Sequence, residues 1–160
     1  MKKPAVFLLV VVAAVGAVLA ERSTVAGGGD KMKPPTRVKM DCAAYRDGME
    51  RMAKSQGIQM KLTPGSWGAI PSALRALPPG AQLCGVTDVG PVVIVSPLYG
   101  KDIEAHYAPL FAKVGCQPFT CDVSASLTEC ACKGKDIRGR VQTDYGNEAF
   151  TLQVSGKLAK

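Results

Sequence analysis

Cysteine is the residue type that most constrains how this chain can fold. Four of its six cysteines fall in one short stretch, CQPFTCDVSASLTECAC, which begins at Cys116 and ends at Cys132. The other two are Cys42 and Cys84. Such a set can form a metal site, a redox-active dithiol or a framework of disulfides, and the compartment in which the protein resides distinguishes these uses.

The N-terminus indicates that compartment. The stretch MKKPAVFLLVVVAAVGAVLA contains two lysines, then an apolar run from residue 5 to residue 19, then a small residue at Ala20. These are the three parts of a secretory signal peptide, and the apolar run is shorter than the ~20 residues of a membrane-spanning helix. We therefore expect a signal peptide over residues 1–20, cleavage near Ala20, and an exported (periplasmic or secreted) mature chain without a transmembrane segment.

The remaining sequence is expected to contain a linker and one domain. Residues 21–36 include three consecutive glycines and a Pro-Pro pair without an apolar period, which predicts a flexible Gly/Pro-rich linker. Residues 37–160 are enough for a single apolar core. The formal net charge of +7 includes Lys2 and Lys3, so the mature chain carries +5. This mildly basic balance favours anionic partners without selecting one.

The spacing of apolar residues predicts two main helices and six strands. The first helix follows Asp41 as N-cap and ends at Gly57, and the second lies within residues 99–115. A short third helix is expected at residues 71–77, because prolines interrupt the surrounding segment. The strands are expected at residues 82–86, 91–96, 119–124, 128–133, 137–143 and 148–154.

The order of these elements indicates the fold class. The stretch VVIV, residues 92–95, is apolar on both faces, so its strand is expected to be central and covered on both sides. Helix, two strands, helix and four strands in succession favour an α+β fold. We expect a mainly antiparallel sheet of about five to six strands, with two helices packed on one face and disulfides as staples.

Strand geometry favours one pairing of the cysteines. Alternate side chains share a face, so a two-residue turn after residues 119–124 places Cys121 opposite Cys130. Cys132 then lies near Cys116, where the second helix ends, and the two N-terminal cysteines remain for each other. Six cysteines allow fifteen pairings, so others stay open. The favoured disulfides are Cys42–Cys84, Cys116–Cys132 and Cys121–Cys130.

Metal and redox uses of the cysteines are the alternatives. Zinc sites usually show closely paired cysteine knuckles or several histidines, whereas His106 is the only histidine here. Cys130 and Cys132 have the C-x-C spacing of a redox pair, although no helix N-terminus follows to lower a thiol pKa. The alternative function is therefore a thiol-disulfide oxidoreductase or soft-metal carrier that uses Cys130 and Cys132.

One group of motifs resembles a known class of proteins. The stretch LPPGA at residues 77–81, a strand, and then Ile103, His106-Tyr107, Leu110 and Gly115-Cys116 resemble a widespread class of uncharacterised bacterial exported domains. Those domains have a Pro-Gly-Ala turn, a strand, and a helix with Phe-Tyr, Leu and a closing Gly-Trp. His106 stands where that class has Phe, and Cys116 where it has Trp. The resemblance implies the fold and the compartment, and no activity.

Other candidate residues have simpler structural interpretations. His106 has no identifiable nucleophile beside it, which favours a role in packing or at the surface. Trp67 is expected either to cover the core or to be an exposed binding aromatic. A soft-metal site for an ion such as Cu(I) is suggested by Met32, Met40, Met49, Met52 and Met60. However, helical spacing places Met49 and Met52 on the core face, as gap-filling side chains.

A cluster of basic residues is the remaining candidate for function. Nothing resembles a phosphate loop, a catalytic triad or a paired-carboxylate site, so we expect no catalytic residue, metal or cofactor and a non-enzymatic protein. Alternation along residues 137–143 places Arg138 and Arg140 on the solvent side, and Lys133 and Lys135 are close by. These four residues predict weak anion binding, with an envelope protein or an anionic polymer or lipid as partner.

Overall fold

The structure, a computed structural model, describes residues 36–124 and 127–156. The predicted signal peptide, and the predicted linker up to residue 35, lie outside the described residues. In chain order the elements are α1 (Cys42–Ser55), β1 (Leu62–Pro64), a 3₁₀ turn (Ser72–Leu74), β2 (Gln82–Thr87), β3 (Val92–Val95), α2 (Lys101–Lys113), β4 (Thr120–Val123), β5 (Thr128–Lys133), β6 (Ile137–Thr143) and β7 (Ala149–Gly156).

The strands form a single sheet in the order β1-β2-β3-β7-β6-β5-β4. Every neighbouring pair is antiparallel. Both edge strands are short, β1 with three residues and β4 with four. The predicted α+β class with an antiparallel sheet and disulfide staples is confirmed.

The predicted count of five to six strands is wrong, because the described residues contain seven. The additional strand is β1, which pairs with β2 from Leu62 opposite Thr87 to Pro64 opposite Gly85. Proline cannot donate a ladder hydrogen bond, so a proline-rich stretch predicts a loop. At an edge, however, proline is tolerated. The expected helix at residues 71–77 is likewise shorter and reduces to the 3₁₀ turn at Ser72–Leu74.

The expectation that both helices pack on one face is wrong as well. Val92 and Ile94 of β3 belong to the cluster that contains the buried face of α2. Val93 and Val95 point the other way and belong to the cluster that contains Met49 of α1. The two helices therefore lie on opposite faces, which we call the α2 face and the α1 face. The predicted central strand, covered on both sides, is confirmed, since all four residues of β3 are buried.

The α2 face carries the larger core. Ile103, Tyr107 and Phe111 of α2 are fully buried against the sheet. Phe111 stacks on Phe119 with ring centroids 4.7 Å apart, and Tyr107 meets Phe150 edge-on at 5.8 Å. Aromatic pairs of this geometry contribute about 0.5–1.5 kcal/mol beyond the area they bury.

The α1 face carries a smaller core without buried aromatic rings among the described residues. Its buried members are Met49, Leu62, Cys84, Val93, Val95 and Ala149. Asp41 caps α1 by accepting a hydrogen bond of 2.8 Å from the backbone N–H of Ala44, so the predicted N-cap is confirmed. Met52, in contrast, is 57% exposed, so its predicted place on the core face is wrong.

Candidate functional site

The six cysteines form three disulfides, and the described residues contain no free cysteine. The Cα–Cα separations are 5.0 Å, 5.5 Å and 3.9 Å for the pairs Cys42–Cys84, Cys116–Cys132 and Cys121–Cys130. These are the pairs that strand geometry favours. The first joins α1 to β2 on the α1 face, and the other two join β5 to its neighbours on the α2 face.

This pairing leaves Cys130 and Cys132 bonded to different partners. Both are buried, and Cys130 lies directly opposite Cys121 in the β4–β5 ladder. Thiolates are the nucleophiles and metal ligands of cysteine chemistry, and neither residue offers one in this state. Nor do the described residues hold any group of three or more His, Cys, Asp or Glu side chains arranged for a metal ion.

The predicted basic residues lie on the α1 face, on the part of the sheet beside α1. Strand β6 alternates buried and exposed positions, so Arg138 and Arg140 point to solvent while Ile137, Gly139 and Val141 point into the α2-face core. Across the ladder, Lys133 of β5 is the register partner of Arg138. We call the solvent-facing side of β5, β6 and β7 the open face.

The structure separates the basic residues into one neutralised arginine and three uncompensated cations. Arg140 forms an ion pair of 2.9 Å with Glu129 on the neighbouring strand. Within the described part of the chain, Lys133, Lys135 and Arg138 make no ion pair. These three line a depression of about 360 Å³ at the β5–β6 turn, together with one carboxylate, Asp136. We call them the basic triplet.

The register of the basic triplet has an electrostatic cost. Like charges directly opposite in an antiparallel ladder destabilise the sheet. Lys133 and Arg138 are such a pair, and both are exposed. Water screens this repulsion in the free protein, and a bound anion would remove it by lying between the two cations. The arrangement is therefore suited to an anionic group at the surface.

His106 and Trp67 both make contacts that are typical of residues with a structural role. The Nε2 atom of His106 lies 3.0 Å from the carbonyl oxygen of Ala76, and its ring meets Tyr107 edge-on. The contact with Ala76 joins α2 to the segment before β2. Trp67 is half-buried and packs against the α2-face core, as expected for a side chain that covers the core.

Arg37 is an important residue that sequence reasoning missed. Its guanidinium donates to four backbone carbonyls, those of Asn147, Pro97, Leu98 and Ala149, at 2.8–3.3 Å. It also lies 5.2 Å from the ring centroid of Tyr99. Desolvation is the main cause of a lowered pKa of Arg37. A lone arginine beside a proline-rich stretch carries no sequence signal for this role, because its partners are backbone groups.

Tyr45 and Asp144 connect α1 to the β6–β7 turn. Burial and, after it, the neighbouring Asp144 carboxylate raise the pKa of Tyr45. Beside them a groove of about 410 Å³ separates α1 from the turn. Its lining includes Met40, Met49 and Met52. We call it the methionine groove.

The described segments include no helix with the length and apolar character needed to cross a membrane. Comparisons of the chain with protein-family models, with curated proteins and with solved structures found no match.

Proposed function

We propose that the protein is an exported, non-enzymatic domain that binds anionic groups of the cell envelope, phosphate or carboxylate, through the basic triplet. Three disulfides suit an oxidising compartment outside the cytoplasm. The resemblance to bacterial exported domains, the signal peptide and the cleavage near Ala20 belong to this proposal. The observation that carries the binding role is the exposed, unpaired Lys133–Arg138 couple next to Lys135.

The three cations differ from scattered surface charges because the sheet holds two of them rigidly. Exposed charges further apart than about 8–10 Å are screened from each other at ordinary salt. Direct register partners on adjacent strands have Cβ atoms only about 4.5–5.5 Å apart. Arg138 brings a planar fork that matches the oxygens of phosphate or carboxylate, and the lysines add mobile point charges. Arg140 contributes less, because Glu129 neutralises it.

The alternative function, thiol exchange or soft-metal transport through Cys130 and Cys132, receives no support from the geometry. Both sulfurs are buried in separate disulfides.

Binding to vesicles tests the proposal directly. The protein is sedimented with vesicles of phosphatidylglycerol and phosphatidylcholine, and with vesicles of phosphatidylcholine alone as a neutral comparison. Binding to an immobilised polyanion is measured in a second experiment, which shows whether the protein prefers a lipid or a polymer. Each basic residue near an anionic surface contributes about 1 kcal/mol. The double variant Lys133→Gln, Arg138→Gln should therefore bind roughly thirtyfold more weakly.

A variant with the same change of net charge provides the control. Arg51 and Lys54 are exposed on α1 and make no ion pair among the described residues. The variant Arg51→Gln, Lys54→Gln should keep most of the binding. Equal weakening of both variants would show a general charge effect, and binding unaffected by salt would exclude anion recognition; either result overturns the proposal.

A further inference from the structure

The methionine groove combines three features that together favour a monovalent soft cation. They are three methionines among the lining residues, a single charged lining residue that is negative, and open space beside Gly48. None of them involves the basic triplet, so the inference below is independent of the proposed anion binding.

The thioethers are brought together by the geometry of α1. Met49 and Met52 are three apart on the helix and therefore neighbours on its surface. Met40 immediately precedes the N-cap Asp41 and, like Tyr45, packs on the α1-face core. A residue at the position of Met40 meets the fourth helical residue, here Tyr45, one turn before Met49. Three of the four methionines in the described residues thus line one groove, whereas Met60 does not.

Exposure distinguishes Met52 from the other two methionines, since Met49 is buried in the α1-face core and Met40 packs on it. Met52 is 57% exposed and Tyr145, on the opposite wall, is 75% exposed. Gly48 lies between the methionines, and a Cβ atom built on it would have no neighbour within 4 Å. A methionine that only fills a gap is enclosed by other side chains. Met52 instead is exposed and lines the groove.

The charge of the lining residues favours a monovalent cation. Asp144 is the one charged side chain that lines the groove, and no lysine or arginine lines it among the described residues. Its carboxylate lies near the Tyr45 hydroxyl, and both residues line the groove. Thioethers are neutral ligands, so one carboxylate offsets one positive charge. The rings of Tyr45 and Tyr145 add further attraction, since aromatic faces attract cations within about 6 Å.

Ligand softness selects the element. Hard cations such as Ca²⁺ need six to eight oxygens, which the groove does not supply among its described residues. Thioether sulfur favours soft ions such as Cu(I). We propose that the methionine groove binds a monovalent soft cation, Cu(I) or its analogue Ag(I), through Met40, Met49 and Met52, with Asp144 balancing its charge.

Ag(I) is a suitable probe because it has the same charge and softness and is redox-stable. The disulfide-bonded protein has no free cysteine among the described residues that would compete for it. It is titrated with silver nitrate in chloride-free buffer while the ¹³C-labelled methionine methyl groups are followed by NMR. We expect saturation at one equivalent, with shifts at Met40, Met49 and Met52 and none at Met60. Absence of shifts, or equal shifts at all methionines, overturns the proposal.

Leucine variants test which sulfurs bind while keeping the side-chain volume. The double variant Met40→Leu, Met52→Leu should bind Ag(I) at least tenfold more weakly. Met60→Leu serves as the matched control within the domain, and Met32→Leu and His106→Gln as controls for binding elsewhere; all three should keep wild-type affinity. If the double variant retains that affinity, or if a control loses as much, the groove is not the site.

Oxidation gives a measurement that needs no variant. Mild peroxide converts exposed methionine to the sulfoxide, a polar group without a soft sulfur ligand. Peptide mass spectrometry should show that Met52 oxidises readily and that one equivalent of Ag(I) slows this reaction severalfold. Mg²⁺ at the same concentration should have no effect. Equal oxidation rates with and without Ag(I) contradict the proposal.

Discussion

The two faces of the sheet are stabilised in different ways. The α2 face is filled by aromatic rings from α2 and the strands, with the two shorter-range disulfides at its margin. The α1 face has a core of methionine, alanine and aliphatic residues, and a disulfide that joins cysteines 42 residues apart. Over β5 and β6 that face carries no helix among the described elements and exposes charged side chains such as Lys133 and Arg138.

Both proposed binding sites lie on the face with the smaller core. A face filled by interlocking rings has no room for a ligand, since core packing is as dense as in organic crystals. The thinly covered α1 face contains both the basic triplet and the methionine groove. The α2 face therefore carries the larger core, and both of the proposed binding sites lie on the α1 face.

Removal of the disulfide on the α1 face should have the largest effect. In the chain-entropy model, closing the Cys42–Cys84 loop contributes about 4 kcal/mol, and closing the Cys121–Cys130 loop about 2.7 kcal/mol. The sequence separations are 42 and 9. We expect the variant Cys42→Ala, Cys84→Ala to lose more unfolding free energy in guanidinium than Cys121→Ala, Cys130→Ala. The reverse order would show that the α1 face does not depend on its disulfide.

Substitution of Gly139 tests how tightly the α2 face is packed. Gly139 is buried on β6, and a Cβ atom built there would overlap the ring of Phe111. Its backbone is not in the left-handed region, so the effect of alanine is steric alone. Overpacking of a core costs about 1–3 kcal/mol of unfolding free energy. We expect the loss caused by Gly139→Ala, measured by denaturant unfolding, to lie at the upper end of this range.

Gly48 is the matched position on the α1 face. It lies inside α1 with nothing within 4 Å of a built Cβ atom. Gly48→Ala should stabilise the protein by about 0.5–1 kcal/mol, because alanine favours helix. If Gly139→Ala were as well tolerated as Gly48→Ala, the two faces would not differ in packing.

Two tyrosine hydroxyls, one on each face, give a smaller contrast. Tyr107 on the α2 face is 0% exposed, and its hydroxyl has no hydrogen-bond partner among the described residues. Tyr45 on the α1 face has the Asp144 carboxylate as a polar neighbour of its hydroxyl. An unsatisfied buried hydroxyl destabilises, whereas a satisfied one contributes about 1 kcal/mol. Tyr107→Phe should therefore equal or exceed wild-type stability, and Tyr45→Phe should lose about 1 kcal/mol; equal losses would contradict the contrast.

The same tyrosines predict how stability depends on alkaline pH. Burial raises the pKa of both phenols above the ordinary value of 10.0. The native state then keeps protons that the unfolded state releases, so their contribution is intact below pH 10 and is lost as pH rises towards the raised values. Unfolding free energy should fall above pH 10, and less steeply in the double phenylalanine variant. Parallel curves would show that other groups cause the decline.

Much of the fold could be predicted from the sequence, because buried positions in helices and strands recur with a fixed spacing of apolar residues. The apolar run at Val92–Val95 predicts a strand covered on both sides, and alternation along β6 predicts which way Arg138 points. Periodicity does not show on which side of the sheet a helix lies, so the placement of α1 and α2 on one face was wrong. A three-residue edge strand such as Leu62–Pro64 is too short to show any period.

The candidate sites were accessible only in part. Lys133, Lys135 and Arg138 form a cluster that the turn between β5 and β6 makes visible in the sequence. The neutralisation of Arg140 is not visible, because it depends on the register with Glu129. The methionine groove was obscured for a related reason: helical spacing groups Met49 with Met52, but only tertiary packing decides that the second stays exposed.

The edges of the sheet have a consequence for how the protein behaves at high concentration. An unpaired strand edge is a template on which another chain can add a strand and begin to aggregate. Here β1 has three residues and ends at Pro64, which has no N–H to donate. At the other edge, β4 has only four residues and lies against α2. Both margins are thus poor templates, and copies of this domain can crowd together without joining their sheets.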